Sequence, residues 1–336
     1  IYNTNSAASA MVLNYYLAHR PMVAGANVLG IGCTTNEITT SANFTNQILA
    51  PYLNWLSNNP AKHPQYIVLF LDIPSRVEDG STVYPSVQYQ LYSETPNGQP
   101  YVTSINMNST NDCIGYINKL EYIGTNYSPG KLVISASAGG YENTNFVLDD
   151  VRHGSGYTDD FFGSASGTVV SSATNGLLAS GVSSGAILFS DGLETISNGI
   201  AYNLPHATGV TNVAGYICWG GHSSLGSNYP TDGAVKWNGN SSWWVIETIE
   251  SYNGQRYRTS QGNFIKWFSS NAFGGANYSN TPIGAVTHVE EPFLPGVENS
   301  SIYFGLWAAG KNFAICAWSS RQTPYFQAVG DPSITR

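Results

Sequence analysis

A mixed α/β fold with two packed, mainly parallel open sheets and flanking helices is what this sequence predicts, and three observations carry the prediction. Short apolar runs of strand length alternate with helical patterns, the signature of helices laid over a parallel sheet. The clearest run, "YIVLFLDI" at 66–73, is apolar at nearly every position, as a strand covered on both faces must be, and Pro74 stops it. The second half of the chain repeats the alternation with more strands.

Taken in order, residues 1–3 read as the tail of a strand, and 6–19 as a helix with Met11, Leu13, Tyr15 and Leu17 among its apolar residues. A strand at 27–33, a helix at 44–56 and the strand at 66–73 follow. Residues 78–108 lack periodicity and are rich in Tyr, Ser, Pro and Gly, so they read as an irregular excursion of the length that functional or partner-facing loops have. A helix at 112–123 and a strand at 131–136 complete a four-strand set. In the second half, strands are expected at 186–190, 213–219, 244–250 and 283–289, with helices at 263–270 and 301–314. The Gly- and Asp-rich segment "HGSGYTDDFFG" at 153–163 marks a boundary between an N-terminal α/β sub-domain, 1–155, and a C-terminal one, 156–336.

Charged residues are only 10% of the chain, against a usual quarter, so the surface is expected to be neutral and polar. A net charge of −8 with 13 Lys and Arg excludes a nucleic-acid partner, which needs clustered cations. No apolar run reaches the roughly 18–20 residues of a membrane span. Low charge, the Asn/Ser/Thr bias and six N-x-S/T sites (Asn43, Asn108, Asn126, Asn240, Asn277, Asn299) point to an exported protein, extracellular, on the cell surface or periplasmic, with processing upstream of Ile1. The 4 cysteines are far apart without a C-x-x-C pair, which removes zinc-finger and thioredoxin-like readings. Cys218 in "GYICW" and Cys316 in "FAICAW" lie in apolar surroundings and are expected to be buried thiols; three disulfide pairings stay open for the set.

In parallel sheets, catalytic and binding groups gather past the carboxyl ends of strands. That rule collects Asp191, His222, Glu250, Ser251, His288, Glu290 and Glu291. In "YICWGGHSS", Gly220 and Gly221 permit a tight turn that aims the His222 ring outward. With Ser251 as nucleophile, His222 as base and an acid such as Glu250 orienting the imidazole, the strip has the residue types of nucleophilic catalysis. Against that, "SYNG" is good turn chemistry by itself, and a turn-forming Ser251 is the first reading. His288 reads as a satisfied sheet-end histidine, and Glu290 and Glu291 as a loop that holds adjacent backbone, with cation binding as the alternative. The pairs Asp149–Asp150 and Asp159–Asp160 lack the spacing of a calcium loop and default to solvated acids. No cofactor is implied.

Five stretches together, "YNTNSAASAMVLNYYLAHR", "NVLGIG", "YIVLFLDIPSRV", "GAVTHVEEPFLPG" and "YFQAVGDPS", resemble an uncharacterised family of exported bacterial proteins found with exosortase-type sorting systems. The C-terminal half also resembles, remotely, the caspase-like fold of gingipain-type cysteine peptidases. There one strand ends in a Gly-His catalytic histidine, the next ends in the nucleophilic cysteine, and a Gly-Asp-Pro lies near the domain's end. "WGGHSS" supplies His222, and "AVGDPS" supplies Gly330, Asp331 and Pro332. Where the cysteine belongs, "WVIETIESYNG" has Glu250 and Ser251. Serine is a weaker nucleophile than a thiolate, so the resemblance implies loss of this peptidase chemistry. The expectation is an exported, non-catalytic binding or assembly protein, whose 22 Tyr and 8 Trp equip a surface for protein, carbohydrate or self-association contacts. The alternative is a hydrolase using His222 with Ser251.

Overall fold

Ser6 starts the first helix, α1 (Ala7–His19), by accepting the Ser9 N–H through its hydroxyl at 3.0 Å. The buried stripe is Ser9, Val12, Leu13 and Tyr16, a spacing of three, one and three that keeps one helix face inward. Met11, one of the helix's apolar residues, lies outside that stripe and is exposed. The computed structural model describes residues 1–96, 98–123, 134–135, 143–149, 163–190, 208–218, 235–239, 241–258 and 262–336. Further helices are α2 (Ala50–Asn58, continuing a π-turn at Phe44–Leu49), α3 (Val87–Glu94), α4 (Thr110–Ile123), α5 (Gly163–Ala179), α6 (Ser300–Ala308) and α7 (Phe313–Ser320). None of the described helices is long and apolar enough to cross a membrane.

Eight strands make the main sheet: β1 (Tyr66–Phe70), β2 (Tyr101–Ile105), β3 (Asn145–Asp149), β4 (Ile187–Ser190), β5 (Val213–Cys218), β6 (Val245–Thr248), β7 (Gly284–His288) and β8 (Phe326–Gly330). Their spatial order is β1-β2-β8-β7-β6-β5-β3-β4. Every neighbouring pair is parallel except β7 and β8, which pair antiparallel from Gly284 opposite Gly330 to His288 opposite Phe326. The fold is therefore α/β and mainly parallel. The two packed sheets expected from the sequence are corrected to two parallel blocks joined edge to edge, because β8 hydrogen-bonds to both β7 and β2 and leaves no sheet edge between them.

Four local expectations are corrected as well. The excursion at 78–108 contains α3 and the interior strand β2, whose Thr103 and Ser104 look like loop residues. Ser104 is instead buried, its hydroxyl 3.4 Å from the Ala328 carbonyl of β8. The strand at 131–136 is described only at Ile134–Ser135, and it pairs with Ile334–Thr335 outside the main sheet. The opening strand, Tyr2–Asn3, pairs with Gly30–Ile31 in a separate two-stranded ribbon. The single helix at 301–314 is two, α6 and α7, because Gly310 takes φ +76° and ends the first.

The seam between the blocks has a polar lock. Gly330 at the end of β8 adopts φ +143°, and a Cβ there would lie 2.7 Å from the Ile283 carbonyl oxygen. Asp331 follows, fully buried: it accepts the Tyr16 hydroxyl at 2.9 Å, lies 3.6 Å from Arg20 Nε, and its N–H donates to the Tyr116 hydroxyl at 2.7 Å. Tyr116 in turn donates to the Ile283 carbonyl at 2.7 Å. "VGDPS" thus ties α1 and α4 to the start of β7. Sub-domain boundary residues 155 and 156 lie outside the described residues; of the strands either side, β3 sits between β5 and β4, and β8 beside β2.

The tryptophans supply core. Trp237, Trp243, Trp244, Trp267, Trp307 and Trp318 are buried, and their indoles bridge elements, as in Trp307 Nε1 to the Ala214 carbonyl at 2.9 Å. Trp55 is half-buried and Trp219 lies outside the described residues. The expected tryptophan surface is corrected accordingly: burying a ring of this size stabilises the fold more than displaying it.

Candidate functional site

Because β7, β6, β5, β3 and β4 run the same way, their carboxyl ends, His288, Thr248, Cys218, Asp149 and Ser190, share one edge of the sheet. Cys218 is in register with Thr248, and the Ile249 N–H donates to the Cys218 carbonyl at 2.9 Å, so β5 and β6 stay side by side to that edge. His222 follows β5 by four residues, and Glu250 and Ser251 follow β6 by two and three. His222, Trp219 and Asp191 lie outside the described residues. So do Asp150, His153, Asp159 and Asp160, while Asp149 is the last residue of β3.

The segment after β6 is tightly specified. Ser251 is buried and opens a turn in which Tyr252 takes φ +60°, with the Arg258 guanidinium 4.0 Å from its ring centre. Asn253 bridges the two strand ends, donating to the Thr248 hydroxyl at 2.6 Å and accepting the His288 N–H at 2.7 Å. The Gly254 N–H donates to the His288 carbonyl at 2.8 Å, and Gln255 donates to the Val289 carbonyl at 2.6 Å. "SYNGQ" therefore caps β6 and β7 by hydrogen bonds that sheet termination would otherwise leave open. The Glu250 carboxyl is buried beneath this turn and accepts the Gly262 N–H at 3.0 Å. Burial pushes its acid well above the usual carboxyl range, against the opposing Gly262 and Thr248 hydrogen bonds.

Next to it lies a cluster that sequence reasoning missed. Glu247 of β6 accepts the Ser300 hydroxyl at 2.7 Å, and its second oxygen has no hydrogen-bond partner. Glu298 has neither oxygen hydrogen-bonded and stands 3.2 Å from His288 Nε2. His288 Nδ1 is 3.2 Å from the Glu250 carbonyl oxygen. All three side chains are removed from solvent. Burial pushes the Glu247 acid up to about 8 and Glu298 well above its usual range, the latter raised further by the charge of Glu247. Burial also pulls the His288 imidazolium down to about 4, so the ring is neutral at pH 7. His288 is thus a sheet-end histidine, as the sequence suggested, with Nδ1–H donating to the Glu250 carbonyl, but its Nε2 is left without an aligned hydrogen bond. The signal for Glu247 was present: a carboxylate inside "WWVIET" has no place in a buried strand without a partner. Its partners come from 298 and 300, beyond local reach.

Glu290 pairs with Arg76 at 3.1 Å and its carbonyl accepts the Tyr252 N–H at 3.3 Å; Glu291 accepts the Phe293 N–H at 3.1 Å. Both thus serve the loop, as expected. Among the described residues no group of three His, Cys, Asp or Glu is arranged to hold a metal ion. All four cysteines are buried thiols outside any disulfide, Cys218 and Cys316 buried as the sequence indicated. Burial pushes the Cys33 and Cys113 thiols up to about 12 and raises Cys316 too.

Two cavities among the described residues lie elsewhere. One of about 550 Å³ and one of about 700 Å³ flank the outer side of β1 and share Lys62, His63, Pro64, Gln65 and Tyr66 in their walls.

No protein-family model matches the chain, and no curated protein does. Solved structures that align with it include the complex of Porphyromonas gingivalis RgpB pro- and mature domains, at 9% identity and TM-score 0.49 over 84% of this chain and 69% of that one. The Arg-specific cysteine proteinase gingipain R aligns at 11% identity and TM-score 0.48 over 85% and 68%. A structure titled only as a protease aligns at 12% and 0.43 over 85% and 69%.

Proposed function

We propose that this is an exported, non-catalytic binding or assembly protein on a caspase-like scaffold, related to the exosortase-associated bacterial family its motifs resemble. The observation that carries the reading is the end of β6. In the resemblance a nucleophile belongs there, but Ser251 is buried at the start of a turn that Asn253 ties to Thr248 and His288, and no thiol stands at that position. A serine nucleophile needs a base within hydrogen-bond reach and room for a substrate carbonyl, and the burial of Ser251 argues against that room. Export is supported by the low charge and the Asn-, Ser- and Thr-rich composition.

Binding is assigned to the outer side of β1. Ile1 already pairs with this strand, donating to the Val68 carbonyl at 2.7 Å and accepting the Phe70 N–H at 3.0 Å. One apolar cavity is lined by Tyr66 and Val68 and the other by Tyr66, so an extended protein segment can add alongside by main-chain hydrogen bonds. Aromatic and Pro side chains of the walls, with Lys62 and His63 at the rim, suit an apolar segment carrying an acidic residue.

The test is a diverse peptide library presented to wild type, His222→Ala, Ser251→Ala and Val68→Pro. The expected result is no cleavage by any of the four and peptide capture lost only in Val68→Pro, a change an edge strand tolerates structurally. Robust cleavage abolished by both His222→Ala and Ser251→Ala would instead establish a serine-dependent hydrolase. That second reading draws its support from β5 and β6 being adjacent and parallel, which sends the residues after them from neighbouring strand ends.

A further inference from the structure

Burying three ionisable side chains together without a counter-ion is costly, and such groups stay in a core only when protons neutralise them. Glu247, Glu298 and His288 meet that condition. Four of their polar atoms, Glu247 Oε2, both Glu298 oxygens and His288 Nε2, have no aligned hydrogen-bond partner; Glu298 Oε1 lies 3.2 Å from His288 Nε2, and the Gly296 backbone also faces the ring.

The groups come from separate elements. Glu247 is on β6, His288 ends β7, and Glu298 precedes Asn299, which caps α6 by accepting the Ile302 N–H. Ser300 belongs to the first turn of α6 and reaches Glu247. Among the described residues the remaining titratable neighbours are Glu250, whose carbonyl faces the His288 ring, Tyr303 of α6, whose hydroxyl donates to the Ile246 carbonyl at 3.4 Å, and Cys316 of α7, which faces Tyr303. None of these neighbours is a cation. Among the described residues, a carboxylate formed here would have only the Ser300 hydroxyl and the helix end to face.

We infer that Glu247, Glu298 and His288 form a buried proton-held clamp that fastens residues 290–300 over the ends of β6 and β7, and that the segment loosens when alkaline conditions strip the clamp of its protons. In the closed state Glu298 is a carboxylic acid whose O–H donates to His288 Nε2, His288 donates from Nδ1 to Glu250, and Glu247 holds its own proton. Loss of the two carboxyl protons leaves two carboxylates facing each other in the core, and the mobile partner is the segment bearing Glu298, since Glu247 is fixed within the sheet by both neighbouring strands. The direction matches the raised acids of Glu247 and Glu298. The inference is independent of the binding reading, because it concerns the 290–300 segment and not the edge of β1.

Hydrogen exchange read by mass spectrometry tests it on wild type and on Glu247→Gln/Glu298→Gln, which is neutral at every pH. After correction for the intrinsic base-catalysed rate, wild-type amides in 290–300 should lose about tenfold or more of their protection between about pH 7 and pH 9, one ionisation unit or more. The double variant should stay flat, and peptides covering β2 should be unchanged in both proteins. A flat wild-type profile, or an equal loss in the double variant, overturns the clamp. Should the variant not fold, ¹⁵N spectra of wild-type His288 decide: the neutral Nδ1–H tautomer at about pH 7 is expected, and an imidazolium there overturns the inference.

Discussion

Arg20 is a cation with almost no exposure, held 3.6 Å from Asp331 and donating otherwise to the His19 carbonyl at 2.8 Å. Replacing it with Met leaves the buried Asp331 carboxyl with only hydroxyl and amide partners, so Arg20→Met should lower the unfolding free energy by about 3 kcal/mol or more in urea titrations. Glu247 makes the opposite prediction. Its acid is stronger in the unfolded chain, with an ordinary value of 4.5, than in the fold, where it rises to about 8. The folded state therefore holds the proton more tightly, and the associated stability is complete below the unfolded value and drains away as pH rises towards 8. Glu247→Gln keeps the acceptor for Ser300 and removes the ionisation. Its stability relative to wild type should grow from about pH 4.5 upward and level off above about pH 8, by on the order of a few kcal/mol. His288 adds the acid-side limit: its ring is neutral in the fold down to about 4 against an ordinary 6.5, so stability is lost as pH falls through that window. Both changes are read from denaturant midpoints measured across pH.

At the scale of elements, the end of β8 and the cap over β6 and β7 each rest on one residue. Gly330 combines φ +143° with a carbonyl oxygen 2.7 Å from where a Cβ would stand. Gly330→Ala must strain the backbone or part the antiparallel seam, and a loss of about 2–3 kcal/mol, seen as a fall in Tm, is expected. Asn253→Ala removes both the bond to Thr248 and the acceptor for the buried His288 N–H, which then has no partner, for a cost of about 2 kcal/mol by the same measurement. Elements of this kind were partly legible beforehand. The strands β1, β5, β6 and β7 were found from apolar runs, and α1 and α4 from periodicity. The strands β2, β3 and β8 were not: Thr103, Ser104 and Gln327 make two of them look like polar loop, and Ser104 and Gln327 find partners on strands distant in sequence, Ala328 and Thr287, while the buried Thr103 hydroxyl finds none among the described residues.

Across the whole molecule, the seam between β7 and β8 makes one hydrogen-bonded sheet of both halves of the chain, and one core cluster runs beneath it from Val12 to Ile334. Such continuity couples the halves, so thiol accessibility should change in a single step. None of the 4 cysteines should react with a thiol reagent under native conditions, and all should react together through the unfolding transition. Reaction of Cys218 or Cys316 in the native protein would show the core argument to be wrong at that site.

What the sequence by itself determined is what depends on near neighbours in the chain. Apolar runs bounded by Pro and Gly set where most strands lie, apolar surroundings bury Cys218 and Cys316, and "SYNG" makes a turn of Ser251. What only the tertiary structure decided depends on partners brought from far along the chain. The joining of two parallel blocks through β8, the locking of Asp331 by Tyr16, Arg20 and Tyr116, and the meeting of Glu247 with Glu298 and His288 all require groups dozens to hundreds of residues apart. A buried carboxyl is costly wherever it stands, and a sequence can show that cost at Glu247. Which proton, hydroxyl or imidazole offsets it is fixed by the packing of α6 and β7 against β6, and no local pattern encodes that.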